Sequence, residues 1–226
     1  DIVENDRRTV PNQELDVYIP DKKIAIECNG LYWHSDRFRA NNYHAIKLND
    51  CNSRGIRLIQ ILENEWNERK EVVKRKLLSI VGRDLTASIY ARKCAIRYVN
   101  VKEKKEFFDE YHIQGDGPSS INIGLEYDGK LVACIGFIKN STNYTLNRYA
   151  TSGRVVGGFT KLLNFFEKEY NSPEIITFAD LRWSEGNLYD STGFVKDALL
   201  PPDYYWGKGN KLWHKFNWRH VHMKKY

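Results

Sequence analysis

The sequence predicts a mixed α/β (α+β) protein of two domains, residues 1–85 and 89–226. Three observations carry this. Strand-like and helix-like apolar periods alternate through both halves. The segment 82–88, GRDLTAS, reads as a short connector at which the pattern restarts. Asp128-Gly129 lies between two long apolar runs, a strong hairpin signal. No internal repeat or low-complexity stretch competes with this division.

In the first half, residues 14–19 (ELDVYI) alternate acidic and apolar and read as a strand with one wet face. Pro20-Asp21-Lys22 is a turn, and 23–28 (KIAIEC) is a second strand, so the two form a hairpin. Asn29-Gly30 ends it, and LYWHSD follows as an irregular, aromatic-anchored segment. Residues 38–53 read as a helix, closed by Gly55 in the usual C-terminal position. The run 56–62 (IRLIQIL) has the continuous apolar character of a buried sheet centre. Residues 65–81 then form a charged helix with Val72, Val73, Leu77, Leu78 and Val81 on its inner face. The order is β-β-α-β-α.

In the second half, CAIRYV is a strand, VKEKKEFFDEYH a helix and 121–139 a hairpin. TLNRYAT is a strand, GGFTKLLNFFEKEY an amphipathic helix and EIITFAD another strand. GNLYDSTGF holds a short helix or turn, and the C-terminal tail adds a last strand or two.

With 226 residues the chain is long enough to bury a sizeable core. No apolar run approaches the roughly 18–20 residues of a membrane span, and the start lacks the pattern of a secretory signal. A chain beginning at Asp1 rather than Met reads as a fragment or a processed form. Cys28, Cys51, Cys94 and Cys134 form no C-x-x-C pair and sit in interior-like segments. They are expected to be reduced thiols of an intracellular protein, with no zinc site.

The net charge is +6, which favours an anionic partner. Its distribution is more informative. After Asp203 no acidic residue occurs, while Lys208, Lys211, Lys215, Arg219, Lys224 and Lys225 alternate with Tyr204, Tyr205, Trp206, Trp213, Phe216 and Trp218. Cations interleaved with aromatics suit phosphate neutralisation with stacking or groove packing. A final amphipathic strand with a solvated face is the plainer reading.

Asp16 and Glu27 both interrupt apolar patterning on adjacent strands. Carboxylates among apolar neighbours are costly unless paired or bound to a cation. Two such groups converging across a strand pair suit Mg²⁺, which takes one or two carboxylates. His34 follows and can exchange a proton near neutral pH, with Asp36 orienting it or joining the metal shell. Asn29 lies two residues beyond Glu27, in position for a phosphate.

Asp16, a ten-residue gap and Glu27-Cys28-Asn29 resemble the PD-(D/E)xK nuclease signature, with Asn29 in the lysine position. The longer string ELDVYIPDKKIAIECNGLYWHSD resembles the very short patch repair endonucleases and the phage homing endonucleases of the EDxHD group. YHAIKLNDCNSRGIRLIQILENEW continues the likeness over residues 4–80. The resemblance implies a restriction-endonuclease-like first domain and Mg²⁺-dependent hydrolysis of a DNA phosphodiester, with Mn²⁺ as a substitute and a 5′-phosphate product. Asp16 would hold the metal with Glu27 or the Cys28 carbonyl, and His34 would be the general acid or base. Lys47 would face the phosphate cleft, and Glu63 and Glu65 would close the central strand. The repair enzymes carry a second histidine where this chain has Asn29. Their fold also opens with a helix that contributes a glutamate, a role left here to Glu4 or Glu14. The implied partner is double-stranded DNA, and the implied setting is the cytoplasm of a phage-infected bacterial host.

The second domain resembles an acyl-CoA N-acyltransferase fold in its order of elements. Arg154-Val-Val-Gly157-Gly158 partly matches that family's pyrophosphate loop, with Phe159 where a small residue is expected. A simple helix-entry turn is the better reading of those glycines. LRWSEGNLYDSTGF gathers Arg182, Trp183, Asn187 and Tyr189 as DNA contacts, with Asn187 alternatively capping the next turn. The expected function is a metal-dependent DNA endonuclease of homing-like type, with the second domain and tail holding DNA. The rivals are a catalytically silent DNA-binding protein, an N-acyltransferase, and RNA as the substrate.

Overall fold

In the computed structural model the described residues are 1–30, 43–84, 86–171, 174–201, 205–208 and 211–214, the last two segments by their backbone. They form a mixed α+β protein that divides into two compact units. One comprises Asp1–Lys70 with Leu181–Tyr226, the other Glu71–Asp180.

The first unit is built on a four-stranded sheet in the order β1-β2-β3-β4. Strand β1 (Val3–Asp6) pairs antiparallel with β2 (Leu15–Ile19). Strand β2 pairs antiparallel with β3 (Ile24–Asn29) across a 3₁₀ turn at Pro20–Lys22, where proline presets the first dihedral. Helix α1 (Tyr43–Ser53) leads into β4 (Arg57–Leu62), which runs parallel to β3, as a crossover connection demands. Gly55 closes α1 at φ 68°, and the Ile56 amide donates back to the Cys51 carbonyl at 3.0 Å. Val10, Leu15, Ala25, Cys51, Ile56 and Leu58 form the core between sheet and helix. Strand β1 has no counterpart among the elements read from the sequence, because VEND carries too few apolar residues to show a period.

Helix α2 (Glu63–Ile80) breaks at Arg69, whose backbone (φ −134°, ψ 34°) is not helical. The first unit's initial segment ends at Lys70, one residue later. The sequence division at 85–89 thus differs from the observed partition, because the kinked helix spans the boundary. Of the expected inner face, Val72 and Val73 are buried while Leu78 is 47% exposed.

The second unit carries β5 (Ile89–Tyr90), β6 (Ala95–Tyr98), α3 (Val101–Tyr111), β7 (Ile121–Tyr127), β8 (Lys130–Lys139) and β9 (Tyr144–Thr151). It continues with β10 (Val155–Val156), α4 (Gly158–Tyr170) and β11 (Ile175–Thr177). Five strands form one sheet in the order β11-β9-β8-β7-β6. Strands β6 to β9 run antiparallel, and β11 returns parallel to β9 after α4. The hairpin turn places Asp128 (φ 49°) and Gly129 (φ 71°) in the left-handed region, as a tight primed turn requires. Asn100 caps α3 by accepting from the Glu103 amide at 2.9 Å. Phe159, Leu162, Leu163 and Phe166 bury one face of α4, with Phe166 stacked on Phe137 at 3.6 Å between ring centroids.

Strand β10 pairs with β5, so Val155 and Val156 of the glycine-containing loop belong to a strand. A Cβ on Gly158 would lie 2.9 Å from Val155 Cγ1 and 3.0 Å from the Tyr149 hydroxyl. Close packing therefore accounts for this glycine without a ligand.

After Asp180 the chain belongs to the first unit again. It holds the short helix α5 (Asn187–Asp190) and an antiparallel ribbon of β12 (Tyr205–Lys208) and β13 (Lys211–His214). Among the described residues no helix is long and apolar enough to cross a membrane.

Candidate active site

Strands β2 and β3 bring Asp16 and Glu27 together. The Asp16 amide donates to Glu27 Oε1 at 3.2 Å, and Asp16 Oδ2 accepts from the Cys28 amide at 2.8 Å. Glu27 is only 5% exposed, whereas Asp16 is half-buried. The convergence expected from the hairpin is therefore present, and each carboxylate is locked to the other residue's strand.

Lys47 completes the group. Its Nζ lies 2.6 Å from Glu27 Oε2, with both side chains buried, and it donates to the Glu14 carbonyl. Lys47 is 3% exposed, so it is a buried partner of the acidic pair rather than a residue on an open phosphate cleft. The reason is electrostatic: a buried carboxylate is costly alone, and an ammonium from the facing helix offsets that cost. Burial is the largest influence on Glu27 and raises its pKa above the usual carboxylate range. The Lys47 hydrogen bond and charge oppose the rise, and the Asp16 charge adds to it.

Glu14 does not bring its carboxylate to this group. It pairs with Arg7, at 2.7 Å to Nη2 and 2.8 Å to Nε, on the surface. Glu4 is exposed on β1. Asn29 is buried at 3% exposure, and its Nδ2 donates to Gln60 Oε1 at 3.4 Å. Gln60, also buried, sits opposite Glu27 in the β3–β4 register and donates to the His44 carbonyl of α1 at 3.3 Å. Asn29 is thus an interior residue joining sheet to helix, not one standing open to a phosphate. Sequence reasoning missed Gln60, although a glutamine between Ile59 and Ile61 interrupts an otherwise apolar run as Glu27 does.

Arg182 donates from Nη2 to Glu65 Oε1 at 2.9 Å, and Glu65 Oε2 accepts from the Leu62 amide at 3.0 Å. The Gln60 amide donates to the Arg182 carbonyl at 3.2 Å, and Arg57 Nη2 to the Trp183 carbonyl at 3.1 Å. Residues 182–183 therefore run beside β4. Trp183, expected as a DNA contact, is 2% exposed and part of the core. Asn187 begins α5, and Gly186 rather than Asn187 occupies the cap position, without a side-chain cap. All four cysteines are free thiols. Cys51, Cys94 and Cys134 are buried, and Cys28 is exposed, unlike the interior position its neighbours suggested.

His34, Asp36, Lys215 and Arg219 lie outside the described residues. Lys208 and Lys211 occupy β12 and β13. Among the described residues no three His, Cys, Asp or Glu side chains gather in a metal-holding group. No family model and no curated protein matches this chain.

Proposed function

We propose that the chain is a metal-dependent DNA endonuclease whose site centres on Asp16 and Glu27, with His34 and Asp36 supplied by the segment after β3. The observation that carries this reading is the convergence of two carboxylates, one buried, across the β2–β3 pair with a buried lysine beside them. An excess of carboxylate over cation in a confined place attracts a further cation. The donor set fits magnesium, which prefers hard oxygens from one or two carboxylates. Asp16, Glu27 and the Cys28 carbonyl would hold Mg²⁺ or Mn²⁺, which supplies Lewis acidity toward a phosphodiester oxygen.

The chain's own residues have distinct tasks. Lys47 favours the ionised form of Glu27 and supplies the positive charge that Asn29 does not carry. Asn29 and Gln60 tie β3 and β4 to α1 and so fix the direction of Glu27. His34 exchanges the proton at the reacting oxygen, and Asp36 orients it. The lysines of β12 and β13, with Lys215 and Arg219, neutralise backbone phosphates of double-stranded DNA. The resemblance to PD-(D/E)xK enzymes supports this assignment and suggests a phage-encoded, homing-like role in the host cytoplasm.

Nicking of supercoiled plasmid tests it. With Mg²⁺ or Mn²⁺ the unmutated chain is expected to cut, and Asp16→Ala and His34→Ala each to lose about a thousandfold in rate, on the order of 4 kcal/mol in the barrier. Equal cutting by all three chains would overturn the assignment.

A second reading, a catalytically silent DNA-binding protein, is favoured by one feature: both Glu27 oxygens already have partners. Binding of DNA with no cutting at any metal concentration would establish it. The N-acyltransferase reading predicts heat from acetyl-CoA binding in calorimetry, and the packing role of Gly158 weakens it.

A further inference from the structure

Both oxygens of the Glu27 carboxylate are engaged. Oε1 accepts from the Asp16 amide at 3.2 Å, and Oε2 lies 2.6 Å from Lys47 Nζ. The two side chains of the ion pair are almost fully buried, at 4% and 6% exposure. A divalent cation on Glu27 would therefore stand beside an ammonium. Two cations repel strongly in a buried place of low dielectric. Lys47 thus holds the place on Glu27 that a metal ion needs.

Lys47 is also held in a way that permits release. It reaches Glu27 and the Glu14 carbonyl from α1, and Glu27 is its one charged partner among the described residues. Its charge sits at the end of a four-carbon stem, so the ammonium can leave Oε2 while the helix stays in place. Lys104 is the counterexample. It is equally buried and is held by Asp116, the Gly117 carbonyl and the Ser119 hydroxyl together, with no carboxylate pair beside it.

We propose that Lys47 gates metal entry. Its ammonium is the resident cation of Glu27 in the metal-free protein, and a divalent cation binds Glu27 only as Lys47 leaves Oε2. Lys47 and the metal are alternative occupants of one carboxylate. The metal-free chain is thereby stable without a metal, and its affinity for one is held low. This rests on the reading of Asp16 and Glu27 as a metal site and deepens it by naming the residue that regulates loading.

The test uses the full chain without DNA and Mn²⁺ as the probe. In calorimetry Lys47→Met, which keeps an unbranched stem without the charge, is expected to bind Mn²⁺ at least about tenfold tighter than the unmutated chain. A second measurement needs no substitution and stands even where Lys47→Met fails to fold. Lysines of the unmutated chain are acetylated with acetic anhydride and read by peptide mass spectrometry. In chelator Lys47 and Lys104 are both expected to be protected. Saturating Mn²⁺ should raise the reactivity of Lys47 at least about fivefold and leave Lys104 within about twofold. A charge acting through space without release of the lysine would not move this labelling.

Equal Mn²⁺ affinity in the two chains, or a Lys47 that stays protected at saturating Mn²⁺, would overturn the gate. Binding by Lys47→Met alone, at any Mn²⁺ concentration, would also overturn it, since Lys47 would then be a fixed replacement for the metal. Binding by neither chain would sink the metal site and the gate together. Release of Lys47 by Mn²⁺ with no cutting of plasmid would leave the gate standing and sink the nuclease reading.

Discussion

Two buried lysines, one in each unit, make an instructive pair. Lys47 and Lys104 are 3% and 4% exposed, and each meets one carboxylate, Glu27 at 2.6 Å and Asp116 at 2.8 Å. Around Lys104 the remaining bonds go to neutral groups, the Gly117 carbonyl at 2.8 Å and the Ser119 hydroxyl at 3.2 Å. One cation faces one anion, and the result pins the 112–120 loop to α3. Around Lys47 the Glu27 carboxylate also accepts from the Asp16 amide, and the charge of the nearby Asp16 carboxylate, itself bonded to the Cys28 amide, acts on it. Two carboxylates lie close together there, and Lys47 pairs with Glu27. The first arrangement is complete as a structural tie; the second leaves the half-buried Asp16 carboxylate on a backbone amide beside the buried pair, the feature on which the proposed metal site rests. A buried ion pair by itself says little about function, and the charge left over after pairing says more.

The comparison can be broken most directly at the lysines. Lys47→Ala leaves Glu27 buried without its cation and is expected to cost about 3–5 kcal/mol in denaturant unfolding, together with plasmid nicking. Glu27→Gln/Lys47→Met removes both charges, so it should recover most of that stability but none of the nicking. Recovered nicking in this double variant would show that the acidic pair is structural only. Lys104→Ala is expected to cost less, about 2–3 kcal/mol, because the Asp116 side chain keeps 22% exposure and can rehydrate. Nicking by that variant should stay within about twofold once folded protein is compared, and a large loss would erase the contrast between the two sites.

A smaller effect is expected from Gln60→Ala, which leaves the buried Asn29 amide without its partner at a cost of about 1–3 kcal/mol. The pH dependence of Glu27 is the finest probe. Its folded pKa is raised, so between the ordinary carboxylate range and that higher value the folded chain holds a proton the unfolded chain has lost. Stability therefore falls as pH rises through that window, by at most about 1.4 kcal/mol per pH unit for one proton. Glu27→Gln should remove that component of the slope, as pH-resolved urea titrations would show. A slope unchanged in Glu27→Gln would mean that Lys47 fully offsets burial.

Much of the fold was legible because its signals are local. The Pro20–Lys22 turn, the glycine closing α1, the Asp128-Gly129 hairpin and the amphipathic face of α4 each act within a few residues. The observed elements fall where those signals stand. Strand β1 was not legible, since an edge strand held by backbone pairing needs no apolar period. Residues 181–194 follow the second domain's last strand in sequence, yet Arg182 and Trp183 pair with β4 and Glu65 in the first unit. Nothing in a stretch of sequence states which distant strand edge it will cover.

The acidic pair shows the same division. Asp16 and Glu27 stood out because carboxylates in apolar strands violate the pattern around them, and a two-strand hairpin can only bring them near each other. The resemblance points Lys47 at a phosphate cleft, but no local pattern ties it to Glu27, and Gln60 reads as a tolerated polar residue in a strand. Sequence alone determined the hairpin, its two acids, the basic aromatic tail and the order of the longer elements, because propensity, turn chemistry and period act between near neighbours. Tertiary structure alone decided that Lys47 neutralises Glu27, that Gln60 holds Asn29, and that Arg182 and Trp183 join the first unit. Those outcomes depend on sheet register and on desolvation, which exist only once distant segments have met.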